Sequence, residues 1–449
     1  MTQIDTWSRT ESDELGERRL PGEALYGINS LRASENFVVS GHRLGTLTPL
    51  VSAMAQIKKA AAQANARVAG LSPDKAEVIG RVCDELISGQ HRGHFIVDVF
   101  EGGGGTSSHM NINEVVANRG LELMGYACGD YKHLHPVKDV NRSQSTTDVH
   151  NAAVRVALLL GAPRLNAVLQ RLAHAFDERA YAFRGILKIG RTHLQDAVPM
   201  TLEEEFKGFA DAINLEAEGI APTSRTLSAL YLGGPIAGTS LAAKPQFADA
   251  VTMELADITG LDLVPAHHPA SAAWNSNDLV KFSGLIRSVA VSLSKICNDL
   301  RLLASGPRGG FGEITIPPVQ TGSPHVNGKI NPVIPEMVNQ VAFHIIGTDV
   351  TIGLASEAGQ LQRNAFEPLI AFHLLNNLTM LENAAKLLAD RCVAGITANR
   401  EACHRNLTHA DTLSAGIFAL YGETVGQSVL DRFNAGEDLA QLLRDISKE

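Results

Sequence analysis

The stretch from Leu279 to Leu303, LVKFSGLIRSVAVSLSKICNDLRLL, decides how this chain folds. Leu279, Phe282, Ile286, Val289, Leu293, Ile296, Leu300 and Leu303 recur at spacings that alternate three and four. That period lays one continuous apolar seam along a helix of roughly 37 Å. Gly306-Pro307 follows, as expected just past a helix C-terminus. Leu285, Ala290 and Leu302 lie off the seam, so more than one neighbouring helix must cover it. A bundle of long helices is the physical solution.

Working outward, long helical patterns dominate from Asp148 to about Val393, so residues 141–393 read as a central long-helix domain. Residues 1–140 mix short helical patterns with Gly and Pro and read as an N-terminal, mostly helical domain. Within it, Leu50 to Leu71 reads as one Ala-rich helix with Lys58 and Lys59 on its polar side. Residues 394–449 form a small C-terminal domain, with Phe418 to Gly422 as a turn. The fold class is mainly α. Of 449 residues, 19% are charged and 5% aromatic. The net charge of −9 gives no electrostatic footprint for nucleic acid or anionic lipid. No segment reads as long and apolar enough to span a bilayer, and Met1 to Asp5 lacks a basic-then-apolar signal. Cys83, Cys128, Cys297, Cys392 and Cys403 lack metal-ligand spacing and suit a reducing cytoplasm as ordinary thiols.

Four polar clusters interrupt the helical patterns. Between Ser305 and Pro335, 12 of 31 residues are Gly or Pro, so Ser323, Lys329 and Asn331 sit in an irregular loop ahead of a helix. Lys329 and Asn331 can hold a carboxylate while Ser323 reacts beside it. Gly102-Gly103-Gly104-Gly105-Thr106-Ser107 can cradle an anion on backbone N–H groups, but lacks the spacing of a nucleotide-binding loop. Ser143 to Asp148 sits at a helix entrance, where Ser and Thr act as N-caps and where the helix dipole also favours a carboxylate. Thr192-His193 forms the fourth cluster; an isolated His there would ordinarily be a structural hydrogen-bonder.

With these residues in view, the chain resembles the aspartase/fumarase superfamily, and within it the aspartate ammonia-lyases. Their signature loop reads Gly-Ser-Ser-x-Met-Pro-x-Lys-x-Asn-Pro; Gly322, Ser323, Lys329, Asn331 and Pro332 match in register. Val333-Ile334-Pro335-Glu336 is similar to aspartases rather than fumarases. Leu15 to Arg18, Arg32 to Phe37, Leu121 to Gly125 and Gly190 to Met200 extend the resemblance over nearly the whole chain. The chain departs from the pattern in four places. Pro324 replaces the second Ser and brings no N–H. His325-Val326-Asn327 replaces x-Met-Pro. His109 stands for an Asn, and Thr147 for an Asn on the leaving-group side.

The resemblance implies a three-domain fold, and a lyase that eliminates ammonia from aspartate, or an amine from an aspartate-like 1,4-dicarboxylate, to give fumarate. Ser323 would be the base, on a mobile lid. Glu336 would pair with His193 as a buried carboxylate beside an imidazole. Lys329 and Asn331 would bind the carboxylate beside the leaving group, and Thr106, Ser145 and Thr146 the other one. Thr192 would bind substrate, His193 with Glu336 would be catalytic, and Thr147 would lie near His193 on the leaving-group side. Glu114, Asp148 and Asp196 read as caps or structural ion pairs. No metal and no organic cofactor is required. The partner is a small dicarboxylate, with neither nucleic acid nor membrane, and the assembly a homotetramer with sites shared between subunits. A lyase for an N-substituted aspartate, a fumarase-type hydratase and a non-catalytic relative remain as alternatives.

Overall fold

The computed structural model describes residues 8–241, 243–408 and 412–435, with 437, 441–442 and 445. The chain divides into two compact units. The first is Met1–Pro163, Ile220–Ile286 and Gly347–Thr379; the second is Arg164–Gly219, Arg287–Ile346 and Met380–Glu449. Strands β1 (Ser8–Asp13) and β2 (Gly16–Pro21) pair as an antiparallel ribbon. Helices α1 (Ile28–Asn36), α2 (Thr48–Val68), α3 (Pro73–Ile87), α4 (Thr106–Leu123) and α5 (Thr146–Ala182) follow. A second antiparallel hairpin, β3 (Leu187–Thr192) and β4 (Gln195–Thr201), leads into α6 (Leu202–Arg225). Then come α7 (Phe247–Thr259), the single turn α8 (Pro269–Ala272), α9 (Asn277–Leu303), α10 (Val333–Glu357), α11 (Glu367–Arg391), α12 (Arg400–Thr408) and α13 (Thr412–Asn434).

The expected seam is realised in α9, where all eight apolar residues from Leu279 to Leu303 are buried. At about 1.5–3 kcal/mol for each fully buried side chain, this helix anchors the core. Ala290 is buried too, while Leu302 stays exposed. Polar pins fix the long helices inside each unit. In the first unit, Arg155 on α5 makes a two-pronged contact with Asp278 on α9, at 2.6 and 2.7 Å. Asn151 on α5 donates to Glu367 on α11 at 3.1 Å. In the second unit, Asn339 on α10 donates to the Ser294 carbonyl on α9, and Phe176 of α5 packs on Phe206 and Phe209 of α6.

Three expectations need correction. Lys58 is not on a polar face: α2 is buried almost all round, and Lys58 is fully buried, whereas Lys59 reaches Asp84 at 2.7 Å. Among the described residues one helix is long and apolar enough to pass as a membrane span: α5 contains an 18-residue window of mean hydropathy 1.5, of which 67% is buried inside the fold, as a core helix is. Phe418 to Tyr421 is helical within α13; the break lies at Gly422 alone, with φ 77° and ψ 166°. Among the five cysteines, Cys128 is half-buried and the other four are buried.

Candidate active site

Two of the four clusters open helices of the first unit. Gly103, Gly104 and Gly105 all have positive φ (82°, 63° and 92°), which permits the sharp entry into α4. A side chain at Gly105 would meet the His150 ring at 2.4 Å, so the run is packed as well as permissive. Arg363 donates to the Gly104 carbonyl beneath it. Thr106 is the first residue of α4 and donates to the Gly103 carbonyl at 2.8 Å. Thr146 is the first residue of α5. His109, one turn into α4, places Nδ1 2.9 Å from Thr146 Oγ1, so this contact joins the two helix starts. Free N–H groups and the positive dipole ends of both helices make this an anion-favouring corner.

Ser145 caps α5 in the way a Ser before an apolar run should. Its N–H donates to Asp148 Oδ1 at 2.7 Å and its hydroxyl lies 3.2 Å from the same oxygen. Burial pushes the Asp148 carboxyl up to about 6, against the pull of those hydrogen bonds and of Lys58. Thr147 is half-buried, and among the described residues its hydroxyl makes no hydrogen bond. Glu114 is a cap as read: it accepts from the N–H groups of Gly27, Asn29 and Ser30 at the start of α1.

The other two clusters belong to the second unit. In the β3–β4 hairpin, His193 and Leu194 form a two-residue turn with φ 55° and 60°. Positive φ at both central residues is the hairpin-compatible turn, which Asn-Gly fills without strain. Holding His and Leu there is a local cost, found where geometry serves a site. Thr192, His193 and Leu194 are exposed. A buried charge cluster grips the hairpin's base: Lys188 lies 2.7 Å from Glu205 and 3.1 Å from Glu313, and Arg191 donates to Glu313 at 2.8 Å. Asp196 sits 3.5 Å from Arg191, a structural pair as read.

The 321–332 loop closes on itself. The Gly322 N–H donates to the Lys329 carbonyl at 2.9 Å, and Asn331 Nδ2 donates to the Gly322 carbonyl at 2.9 Å. A side chain at Gly322 would meet the Lys329 carbonyl at 2.3 Å, which accounts for the glycine. Ser323 Oγ accepts from the N–H groups of His325 and Val326, each at 3.2 Å. Pro324 removes one donor, but the next two residues supply a pair. Lys329 is exposed, and among the described residues its ammonium makes no hydrogen bond or ion pair. Glu336, in the first turn of α10, has a side chain 41% exposed and lies 4.0 Å from Arg301. The expected buried pairing of Glu336 with His193 is therefore not made within the single chain. Arg363 and Glu313 escaped the sequence reading, and Lys58 entered it only as a residue of a polar face. Only Lys58 had a usable signal, since it lies one turn from Met54 and Ala62 on an apolar row.

The chain is similar to known proteins over nearly its whole length. A family model described as lyase matches residues 16–347. The chain is 44% identical to the aspartate ammonia-lyase of Pseudomonas aeruginosa over 440 residues, 98% of this chain and 93% of that one. It is 43% identical to the Escherichia coli aspartate ammonia-lyase over 396 residues, 88% and 83% of the two chains. Among solved structures, a fumarate lyase:delta crystallin from Brucella melitensis, bound to cobalt, superposes with a TM-score of 0.90 at 44% identity, covering 98% of this chain and 96% of that one. A class II fumarase from Schistosoma mansoni gives 0.88 at 27%, covering 98% and 95%.

Proposed function

We propose a mechanism on one premise: this chain belongs to the aspartase/fumarase superfamily, is a carbon–nitrogen lyase, and eliminates ammonia from aspartate to give fumarate. Removing a proton next to a carboxylate creates an enediolate-like dianion, which must be stabilised where its charge develops. Thr106, Ser145 and Thr146, at the starts of α4 and α5, take that carboxylate. Lys329 and Asn331 take the carboxylate beside the leaving group. Ser323 removes the proton from C3, and the C–H electron pair is held in the enediolate; that pair then forms the double bond as the C–N bond breaks and nitrogen leaves as ammonia.

The observation that carries this reading is the pair of N–H groups aimed at Ser323 Oγ, at 3.2 Å each. A serine oxygen acting as base bears negative charge, and two donors with a nearby lysine on the same loop favour that form. Purified protein given L-aspartate is expected to produce the ultraviolet absorbance of fumarate together with ammonia. Absence of both, or turnover of malate in place of aspartate, would sink the reading.

A second reading concerns the amine. The unpartnered Thr147 hydroxyl is shorter than the amide expected there and leaves room at the leaving group, so N-substituted aspartates are the first alternative substrates to screen.

An exposed face of α10 supports a proposal about assembly. Phe343, Val350 and Leu354 share one face at helical spacing and are 61%, 62% and 65% exposed. An apolar stripe of this kind is ordinarily covered. A homotetramer that buries it, and in which a second copy's His193 hairpin meets Glu336, would complete sites from several subunits. Sedimentation showing a stable, active monomer would refute this. The unpaired cysteines suit a cytoplasmic location.

A further inference from the structure

We propose that His109 is a positioning residue that makes the Thr146 hydroxyl an outward donor to the substrate carboxylate, and that Lys58 holds the imidazole in the tautomer this requires. The inference rests on the reading above that Thr146 binds a carboxylate.

The protons can be counted. Lys58 Nζ lies 2.8 Å from His109 Nε2, 2.9 Å from Asn141 Oδ1 and 2.8 Å from Gln144 Oε1. The orientation of both amides is fixed independently. Asn141 Nδ2 donates to the Gln144 carbonyl, and Gln144 Nε2 donates to the carbonyls of Val140 and Arg142. Their oxygens must therefore face Lys58. An ammonium has three protons and no acceptor capacity. Two go to the amide oxygens and the third to His109 Nε2, which must then be bare. The imidazole proton is left on Nδ1 and points at Thr146 Oγ1, 2.9 Å away. Thr146 therefore accepts from below, and its own proton has no partner among the described residues. That proton is free to point outward, where a carboxylate can only accept.

The surroundings favour this state once an anion is bound. His109 is fully buried, and burial, with Lys58 and His150 nearby, holds its pKa well below the usual histidine range, so the ring is neutral. Burial lowers Lys58 to about 7, opposed by Asp148 on α5 and by Cys83 on α3. A carboxylate arriving at Thr146 adds negative charge above the chain and favours the ammonium. A neutral amine would reverse the chain: its lone pair would accept a hydrogen bond from Nε2–H, bare Nδ1 would accept one from the Thr146 hydroxyl, and the outward donor would vanish. Lys58 and His109 thus decide whether Thr146 gives a hydrogen bond or withholds it.

The test uses the full-length enzyme, with succinate as a competitive, unreactive 1,4-dicarboxylate. Thr146→Val is expected to raise the succinate Ki about tenfold, as loss of a hydrogen bond to a charge does. Two polar replacements separate the ends of the imidazole. His109→Asn places an amide near the Nδ1 position and can still donate to Thr146, so Ki stays within about threefold of wild type. His109→Gln reaches the Nε2 position, satisfies Lys58 and loses Thr146, so Ki rises about tenfold while kcat changes far less. In the double variant His109→Gln/Thr146→Val the loss stays near tenfold, because one contact is removed twice. Multiplied losses approaching a hundredfold, or equal losses in His109→Asn and His109→Gln, overturn the inference. An unchanged Ki in Thr146→Val removes the carboxylate assignment itself and this inference with it. A normal tenfold loss in Thr146→Val beside an unaffected His109→Gln removes this inference alone.

Discussion

Two serines in this molecule occupy similar-looking turns and are prepared for opposite tasks. Ser145 sits at the start of α5 with its hydroxyl 3.2 Å from the buried carboxylate of Asp148. Ser323 sits in an exposed loop with two backbone N–H groups directed at its oxygen. A serine beside a carboxylate keeps its proton, since an alkoxide there would face like charge. A serine surrounded by donors has its charged form favoured. The difference supports the roles proposed above, binding for Ser145 and proton removal for Ser323. It extends to the surroundings. The α4–α5 corner is built in advance from buried polar groups, whereas the 321–332 loop is held by its own hydrogen bonds and offers Lys329 to solvent.

If the α4–α5 corner is preformed, it should break when its packing is disturbed. Gly105→Ala adds a methyl group where the backbone is left-handed and the His150 ring is 2.4 Å away. The expected result is a loss of about 3 kcal/mol or more in unfolding free energy, read by denaturant titration. A variant as stable as wild type would show that the corner yields easily. On the loop side, Lys329→Ala should leave stability unchanged while weakening succinate about fiftyfold, as loss of a bond to a charge allows. Lost stability with unaltered affinity would reverse that contrast.

Smaller effects sharpen it. Thr147→Asn restores an amide at the leaving group and should raise kcat/KM for aspartate about fivefold while depressing turnover of N-substituted aspartates. No change in either marks Thr147 as only a helix-start residue. Asp148 provides the finest test. Its folded pKa of about 6 lies above the ordinary aspartate value of 3.8. The stability linked to its protonation is therefore fully present below about 3.8 and lost as pH rises through 6. Asp148→Asn cannot titrate, so wild type should lose stability relative to it between pH 4 and 6, then hold a constant gap. That change is expected to be up to about 3 kcal/mol, the size that a rise from 3.8 to about 6 implies. A gap independent of pH would place the carboxylate in a more solvated setting.

The long helices were legible because a three-four repeat has one physical meaning, and α9 shows it residue by residue. Glu114 and Asp196 were legible as structural groups because acidic residues near helix starts and arginines are ordinarily that. The turn around Phe418 was misplaced because one glycine breaks α13 without opening a loop. Lys58 was misread because amphipathic reasoning assumes a wet face, and α2 has almost none. Its burial depends on acceptors 51 to 86 positions away, His109, Asn141 and Gln144, which no local pattern reveals. The pair of N–H donors on Ser323 was hidden too, since Pro324 removes one donor and the loop replaces it only in three dimensions.

The assignment of the two serines can be tested head to head. Ser323→Ala and Ser145→Ala are compared at saturating aspartate, with succinate Ki measured alongside. Ser323→Ala should lower kcat by at least about a hundredfold with Ki nearly unchanged, and Ser145→Ala should raise Ki about fivefold with kcat largely kept. The reverse pattern, with turnover lost at Ser145 and retained at Ser323, would contradict the account.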